Sequence, residues 1–252
     1  MNQNKSNVPS EVIGQLVPTG RLRSALNLGN AALVQRDAAS GKLTGVSVEL
    51  AKELARTLGV PLDFAVYKGA GDVFGDVDNG KWDIAFLAID AKRAEKISYT
   101  APYVIIEGTY AVPAKSAIQH VDDIDQPAIR LAVAKNSAYD LYLTPRLKKA
   151  QIVRAPNPQA SLEMFVTDKL EAVAGVRQTL EQFVGNNMDL RILPGAFTSI
   201  NQAVAVAKSK KPALEFLSNF IEAKKRSGFV RQALDENGKH NLPVAPLAAT
   251  LG

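Results

Sequence analysis

The residues best placed to do chemistry follow one apolar segment of the chain. Trp82 to Ile89 is a run of strand length whose single acid is Asp83, a pattern that predicts a strand buried on both faces. Asp90, Lys92 and Arg93 come directly after it. In an open α/β sheet, ligands bind in the crevice beyond the carboxyl ends of the strands. Arg93 is therefore a candidate clamp for an anionic ligand.

A second candidate site stands later in the chain, where Asn136 and Ser137 precede a predicted helix that starts at Ala138. The pair could act as an ordinary N-cap. The same geometry leaves backbone N–H groups and the positive end of the helix dipole facing a crevice, which suits a carboxylate. Both interpretations can hold at once.

The sequence offers little for catalysis. The two histidines, His120 and His240, fall in a presumed loop and a polar tail, so no histidine-centred triad is indicated. Cysteine is absent, and no phosphate-binding loop or metal-spaced cluster is apparent. Asp90 and Glu107 could serve as acid and base, but a salt bridge or a solvated acid explains them more simply. We expect a protein that is not an enzyme and has no cofactor.

The elements that would position these residues alternate between strand and helix, which predicts parallel sheets. Helices are predicted at Val46–Leu58 and Ala138–Lys148, and a strand at Leu62–Tyr67.

Extended segments at Ile105–Val112 and Ile200–Ala207 separate the first βα series from a second one that begins near Ala128. The alternation of Ala and Val in the second segment is expected to let two strands lie close together as a hinge pair. We expect an α/β protein of two lobes joined by two extended hinge strands. The predicted divisions are residues 1–111, the first part of lobe 1; 112–204, lobe 2; and 205–252, the return to lobe 1.

Several segments of this chain, in this order, resemble the amino-acid type solute-binding proteins of ABC importers, extracellular solute-binding protein family 3. The family signature is matched by Asp83, Ala88, Asp90 to Arg93, and Tyr99 to Tyr103. Further segments resemble the family's first crossover, the first and return strands of its second lobe, and its closing helices; they are Gly41–Pro61, Leu131–Ser137, Phe197–Lys208 and Ala213–Gly238. The resemblance covers about Gly20 to Gly238.

This resemblance implies a type II periplasmic binding protein whose lobes close on a small carboxylate-bearing ligand, an amino acid or an organic acid. It also implies a periplasmic location, a monomer, and delivery of the ligand to an ABC permease in the inner membrane. In the family, the arginine matching Arg93 grips the ligand carboxylate through two parallel hydrogen bonds. Further candidate contacts are Ala88, Asn27, Asn30, Asn136, Ser137 and Ala138. The alternatives are a sensor domain for a signalling partner and a dehydratase-like enzyme.

The chain departs from the family pattern at the candidate site. Asp90 replaces the usual threonine before the arginine, where it could orient Arg93, accept a hydrogen bond from the ligand or repel a carboxylate. Amino-acid binders place an aspartate for the ligand ammonium just after the strand that is Glu171–Val176 here. This chain continues with Arg177 instead, which predicts a second anionic or polar group on the ligand. A surface arginine that begins a helix is the alternative interpretation.

Composition and charge narrow the class of protein. The chain has 252 residues, 46% of them hydrophobic and 22% charged, which is enough for a full core. Its net charge of +5 comes without the aromatic interleaving of nucleic-acid binders, so we expect no nucleic-acid partner. Met1 to Ser10 is polar and lacks the apolar core of a secretory signal. Either an export signal has been removed, or the protein stays in the cytoplasm.

Overall fold

The computed structural model describes residues 8–185 and 187–249. Of the polar segment Met1–Ser10, for which the sequence predicts no secretory signal, the first seven residues lie outside the described ranges. Within those ranges, no helix is both long enough and apolar enough to cross a membrane.

The described residues form eight α-helices and twelve β-strands. The helices are α1 (Ser10–Leu16), α2 (Val46–Leu58), α3 (Ala70–Gly75), α4 (Ala138–Leu143), α5 (Pro158–Thr167), α6 (Arg177–Val184), α7 (Lys211–Arg226) and α8 (Phe229–Glu236). The strands are β1 (Leu22–Asn27), β2 (Gln35–Arg36), β3 (Leu43–Thr44), β4 (Leu62–Tyr67), β5 (Ile84–Ala88), β6 (Ile97–Tyr99), β7 (Val104–Pro113), β8 (Arg130–Ala134), β9 (Gln151–Ala155), β10 (Ala172–Val176), β11 (Leu190–Ile192) and β12 (Thr198–Ala207).

One sheet of ten strands runs through the protein in the order β4-β1-β5-β12-β7-β10-β8-β9, with β6 beside β12 and β11 beside β7. Strand β1 pairs in parallel with β4 and β5. Strand β8 likewise pairs in parallel with β9 and β10. The predicted parallel pairing is therefore present at both ends of the sheet. Between them lie β7 and β12, which are antiparallel to each other and to their flanking strands.

The two long strands connect two lobes. We call lobe 1 the strands β1–β6 with α1–α3, α7 and α8, and lobe 2 the strands β8–β11 with α4–α6. Strands β7 and β12 pair with each other from Thr198↔Gly108 to Gln202↔Val104. The alternation of Ala and Val in β12 predicted that this part of the strand forms the hinge pair. The structure instead sets Ala203 to Val206 against β5 and β6 of lobe 1, so the more polar start of β12 forms the connection.

Hydrophobic cores cover both faces of the sheet in each lobe. In β5, Ile84 and Phe86 enter the core on one face, while Ala85 and Leu87 enter the core on the other. This is the arrangement that the continuous apolar run predicted. Lobe 2 repeats it, since alternate residues of β8 and β10 belong to two different cores.

Helix α2 forms with the predicted bounds, Val46–Leu58. Leu50, Leu54 and Leu58 recur at helical spacing and are buried against the lobe 1 core. Gly59 ends the helix in the left-handed conformation, at φ 68°, and its N–H returns to the Ala55 carbonyl.

Two helices differ from the prediction. Helix α4 ends at Leu143 rather than at Lys148. Pro145 follows two residues later; it has no N–H to donate back to the helix, which limits its continuation. Helix α1 was not predicted. It is fixed partly from outside, because Gln15 Oε1 accepts a hydrogen bond of 3.1 Å from the Ala213 N–H at the start of α7.

A buried carboxylate ties lobe 1 together at the amino end of β5. Asp83, 1% exposed, accepts hydrogen bonds from both Nε and Nη2 of Arg23 on β1, at 3.0 and 2.8 Å. Lys210, just before α7, places its Nζ 3.8 Å from the same carboxylate. Asp83, the first residue of the predicted signature, thus belongs to a structural ion pair at the end of β5 away from Arg93.

Candidate functional site

A small cavity lies between the two lobes, beyond the carboxyl ends of β1 and β5. Its volume is about 40 Å³, space for about one or two water molecules. Residues from both lobes and from the β12 connection line it: Asn27, Gly29, Asn30, Ala70, Phe86, Leu87, Ala88, Arg93, Ser137, Ala138, Tyr139, Pro158, Val176, Ile200 and Gln202. The position is the one that a ligand takes in an open α/β sheet.

Arg93 reaches this cavity from a short 3-10 turn that follows β5. Asp90 fixes the turn, because its Oδ1 accepts the Arg93 N–H at 3.0 Å and its carbonyl accepts the Ala94 N–H. The Arg93 side chain turns back to the end of β5, where Nη1 donates to the Ala88 carbonyl at 3.3 Å. Its Nη2 crosses to lobe 2 and donates to the Asn136 carbonyl at 2.7 Å.

The guanidinium of Arg93 is almost completely buried, at 1% exposure. Burial lowers the pKa of Arg93 from its ordinary value, while Tyr99 and Asp90 act to raise it. Arginine remains charged in proteins. Among the described residues, however, Arg93 donates to backbone carbonyls and forms no ion pair with a carboxylate. A buried cation without an anionic partner is costly and favours the binding of an anion.

The facing corner of lobe 2 is held in one geometry. Asn136 adopts a left-handed conformation, with φ at 58°, and its N–H donates to Asp140 Oδ2 at 2.8 Å. Ser137 caps α4, since its Oγ accepts the Asp140 N–H at 3.1 Å. Arg154 on β9 donates to the same Asp140 carboxylate at 3.0 Å. These contacts aim the Asn136 carbonyl at Arg93. With only six residues, α4 is too short for an anion site built on its dipole alone.

The turn after β1 brings two amides to the cavity. Asn27 Oδ1 accepts the Gly29 N–H at 3.0 Å and so holds the turn. Asn30 is 6% exposed, and within the described ranges its Oδ1 has no hydrogen-bond partner. An unpaired buried oxygen is a costly arrangement that a ligand donor can relieve.

Three glycines of lobe 1 lie against lobe 2 around this cavity. A methyl group added at Gly29 would come within 2.6 Å of Pro158 Cγ. One added at Gly71 would lie 3.0 Å from the Lys135 carbonyl oxygen and 3.1 Å from Asn136 Cβ. Gly69 lies farther away, with 3.5 Å to Asn157 Cβ. The lobes approach this closely because no side chain separates them at these positions.

Six of the nine candidate ligand contacts line the cavity, namely Arg93, Ala88, Asn27, Asn30, Ser137 and Ala138. Asn136 contributes its carbonyl to Arg93. Asp90 and Arg177 do not line the cavity. Asp90 is used in the turn before Arg93.

Arg177 forms its contacts outside the cavity. This agrees with the alternative interpretation, a surface arginine that begins a helix. Its Nε donates to Glu107 Oε2 at 2.6 Å, and its Nη2 donates to the Gly195 carbonyl at 2.6 Å. Val176, the residue before it, is the one that faces the cavity. The second anionic group that Arg177 predicted on the ligand has no support from this arrangement.

Val176, Gln202, Phe86 and Ile200 line the cavity without having been predicted as contacts. The sequence carried a signal for only one of them. Gln202 stands at the start of the apolar run Ala203–Ala207. Burying a polar side chain in such a strand costs free energy unless the side chain forms hydrogen bonds. The apolar contacts cannot be distinguished by type from ordinary core residues.

No group of three His, Asp or Glu side chains in the described part of the chain could hold a metal ion.

A sequence profile of the bacterial extracellular solute-binding proteins, family 3, matches residues 27–239. Among curated proteins, the L-cystine-binding protein TcyJ of Escherichia coli strain K12 is 24% identical over 202 residues, which are 78% of this chain and 74% of that protein.

Solved structures agree with the profile on the fold. The solute receptor for L-cysteine of Neisseria gonorrhoeae aligns with a TM-score of 0.81 at 20% identity, over 94% of this chain and 99% of that chain. The amino acid ABC transporter substrate-binding protein AbpA of Streptococcus pneumoniae, bound to L-arginine, aligns with a TM-score of 0.76 at 25% identity, over 89% of this chain and 97% of that chain. The predicted two-lobed type II periplasmic binding protein fold is confirmed.

Proposed function

Because the chain belongs to the bacterial extracellular solute-binding proteins, family 3, we propose that it captures a small carboxylate-bearing solute between its lobes and delivers it to an ABC permease. One observation carries the choice of ligand. Arg93 is a buried cation at the interlobe cavity, and within the described residues its side-chain hydrogen bonds reach only backbone carbonyls. A carboxylate there would supply the missing charge and accept two parallel hydrogen bonds from one guanidinium.

The mechanism we infer is hinge closure. A solute first binds Arg93 and the turn containing Asn30 on lobe 1, and lobe 2 then closes with the corner at Ser137. Strands β7 and β12 would act as the hinge, with the chain divided into residues 1–111, 112–204 and 205–252. The closed form alone brings both sets of contacts together, and a permease can distinguish it by shape.

The same proposal places the protein in the periplasm, as a monomer that meets its permease at the inner membrane. The family, and the binding of L-cystine, L-cysteine or L-arginine by similar proteins, support a transport role. Binding is favoured over catalysis at this site. The two acids considered for chemistry are used elsewhere: Asp90 holds a turn, and Glu107 pairs with Arg177.

Thermal unfolding in the presence of ligands tests the proposal. A panel of small carboxylates, with and without amino groups, should include members that raise the melting temperature of the native chain. A ligand at 1,000 times its dissociation constant stabilises by about 4 kcal/mol. Arg93→Ala should lose every such shift, because the carboxylate partner is gone.

Arg56→Ala is the matched control, since Arg56 is an exposed arginine that pairs with Glu53 on α2. It should keep the ligand shifts. If Arg93→Ala, shown to be folded by circular dichroism, responded to the panel like the native chain, Arg93 would not be the carboxylate partner and the proposal would be wrong.

A further inference from the structure

The side chains around the interlobe cavity carry an unbalanced set of charges. Arg93 supplies one positive charge, and none of the described residues that line the cavity carries a carboxylate. The other hydrogen-bonding groups on the walls, including Asn30 and Gln202, are neutral. The remaining wall is largely apolar, with Phe86, Val176 and Ile200 among its members.

This lining disfavours an α-amino acid. Its carboxylate would find Arg93, but its ammonium would be buried beside neutral and apolar groups. An ammonium transferred from water into such a site without an acidic partner carries a large penalty. Asp90 and Glu107 do not offer one, because Asp90 lies in the turn outside the cavity and Glu107 pairs with Arg177.

The cavity wall also contains an acceptor that can form a second hydrogen bond with a ligand. Asn30 Oδ1 is buried at the cavity, with no partner among residues 8–185 and 187–249. A carboxylate oxygen cannot satisfy this acceptor, whereas a hydroxyl can donate to it and remain uncharged. A hydroxyl also costs far less to bury than an ammonium.

We propose that the two lobes, held further apart than in this 40 Å³ cavity, bind a small 2-hydroxy acid with an apolar body between them, and not the corresponding α-amino acid. The carboxylate would bind Arg93, the hydroxyl would donate to Asn30 Oδ1, and the body would lie against Val176 and Ile200. This inference rests on the proposed capture of a carboxylate solute, and it assigns the chemical class of that solute.

Isothermal titration calorimetry of the native chain tests the class directly, with two matched series as probes. One series is lactate, L-alanine and propionate; the other is 2-hydroxy-4-methylpentanoate, L-leucine and 4-methylpentanoate. In at least one series, the hydroxy acid should bind at least about tenfold more tightly than the plain acid, because it alone pairs with Asn30. It should bind at least about 100-fold more tightly than the amino acid.

Other outcomes overturn the inference. Tighter binding of L-alanine or L-leucine would show that the site pairs an ammonium. Absence of binding by all six probes would exclude small apolar 2-hydroxy acids. In either case the proposed capture of a carboxylate stands if any carboxylate in the wider panel gives a thermal shift that Arg93→Ala loses, so the two failures are distinguishable.

Val176 permits a matched test by substitution. It precedes α6 as the N-cap, and its side chain makes no capping bond. Asp and Asn cap helices about equally well, so Val176→Asp and Val176→Asn change the helix alike and differ in charge. Val176→Asp should bind L-leucine at least about tenfold more tightly than Val176→Asn does, and should bind the 2-hydroxy acid correspondingly less well. Equal affinities in the two variants would show that this wall does not select between ammonium and hydroxyl.

Discussion

Arg93 and Asp83 stand ten residues apart in one signature, yet the structure gives them different tasks. Asp83 lies at the amino end of β5, where its buried carboxylate receives both Nε and Nη2 of Arg23. Arg93 follows the carboxyl end of the same strand and enters the interlobe cavity. A fully paired charge supports the fold, whereas a charge that lacks an anion is available to a ligand.

The pairing of Asp83 makes a stability prediction. Asp83→Asn should lower the free energy of unfolding by about 3–5 kcal/mol, because it leaves Arg23 and Lys210 without their buried anion. Urea denaturation of the purified variant measures the change.

Asp63→Asn is the control, since Asp63 on β4 also accepts two hydrogen bonds from one arginine, Arg21 just before β1, but is half exposed. It should change the free energy of unfolding much less than Asp83→Asn does, because solvent screens an exposed pair. Equal losses in the two variants would contradict the structural role that we assign to Asp83.

Residue types in the sequence predicted part of the site and not the rest. Arg93 and Asn136 were recognised because a cation after a buried strand and a polar corner before a helix are local patterns. Val176 and Ile200 were not, since which apolar side chain faces the cavity depends on how the lobes meet. Arg177 shows the limit most clearly: its position one residue past β10 was predicted, but its pairing with Glu107 is set by strand β7.

Helices α2 and α7 are joined by an ion pair that crosses between them. Glu53 on α2 accepts hydrogen bonds from Arg56 Nε at 2.7 Å and from Lys224 Nζ of α7 at 2.5 Å. The hydrogen bond from Arg56 is the main cause that lowers the pKa of Glu53 to about 2; Lys224 adds to it, and burial opposes it.

The lowered pKa of Glu53 predicts how the stability of the protein changes at acidic pH. Because the folded pKa lies below the ordinary 4.5, the stability from Glu53 is present above pH 4.5 and is lost as pH falls towards 2. Glu53→Gln should therefore be less stable than the native chain by about 1–2 kcal/mol at pH 7, with allowance for solvent screening. The gap should close as the pH approaches 2.

Thermal unfolding of the native chain and the variant between pH 2 and 7 measures that gap. Glu49→Gln serves as the comparison, because among the described residues Glu49 pairs only with Lys52, on the same exposed helix surface. Its effect should be within about 0.5 kcal/mol. A gap for Glu53→Gln that is as large at pH 2.5 as at pH 7 would mean that the carboxylate charge is not the cause.

Elements were predicted best where a single lobe determines them. The bounds of α2 and β4 are as predicted, because their apolar spacing and the flanking Gly59 and Pro61 are local signals. The pairing of β12 was assigned to the wrong part of the strand. Its partner changes along its length from β7 to β5 and β6, and the sequence of β12 alone does not encode that exchange.

On the scale of the whole molecule, the glycines between the lobes set how closely the lobes approach. Gly71→Ala would place a methyl group 3.0 Å from the Lys135 carbonyl and 3.1 Å from Asn136 Cβ, both on lobe 2. Alanine is favoured within a helix, so α3 itself should not be destabilised. We expect the lobes to separate, and small-angle X-ray scattering should give a larger radius of gyration than for the native chain.

Gly75→Ala is the matched variant, because Gly75 ends the same helix and a methyl group there would meet no atom within 4 Å. Its radius of gyration should equal that of the native chain. Equal values for Gly71→Ala and Gly75→Ala would show that this contact does not limit lobe closure.

The hydrogen bond from Arg93 to the Asn136 carbonyl makes part of the protein a tethered competitor of its own ligand. A tethered group acts at an effective concentration that free solutes rarely reach. If a carboxylate accepts the hydrogen bond from this Nη2, it must displace the Asn136 carbonyl. The measured binding free energy is then the difference between binding the carboxylate and binding the carbonyl at Arg93. The affinity for a solute would therefore depend on how readily the Asn136 carbonyl moves away from Arg93.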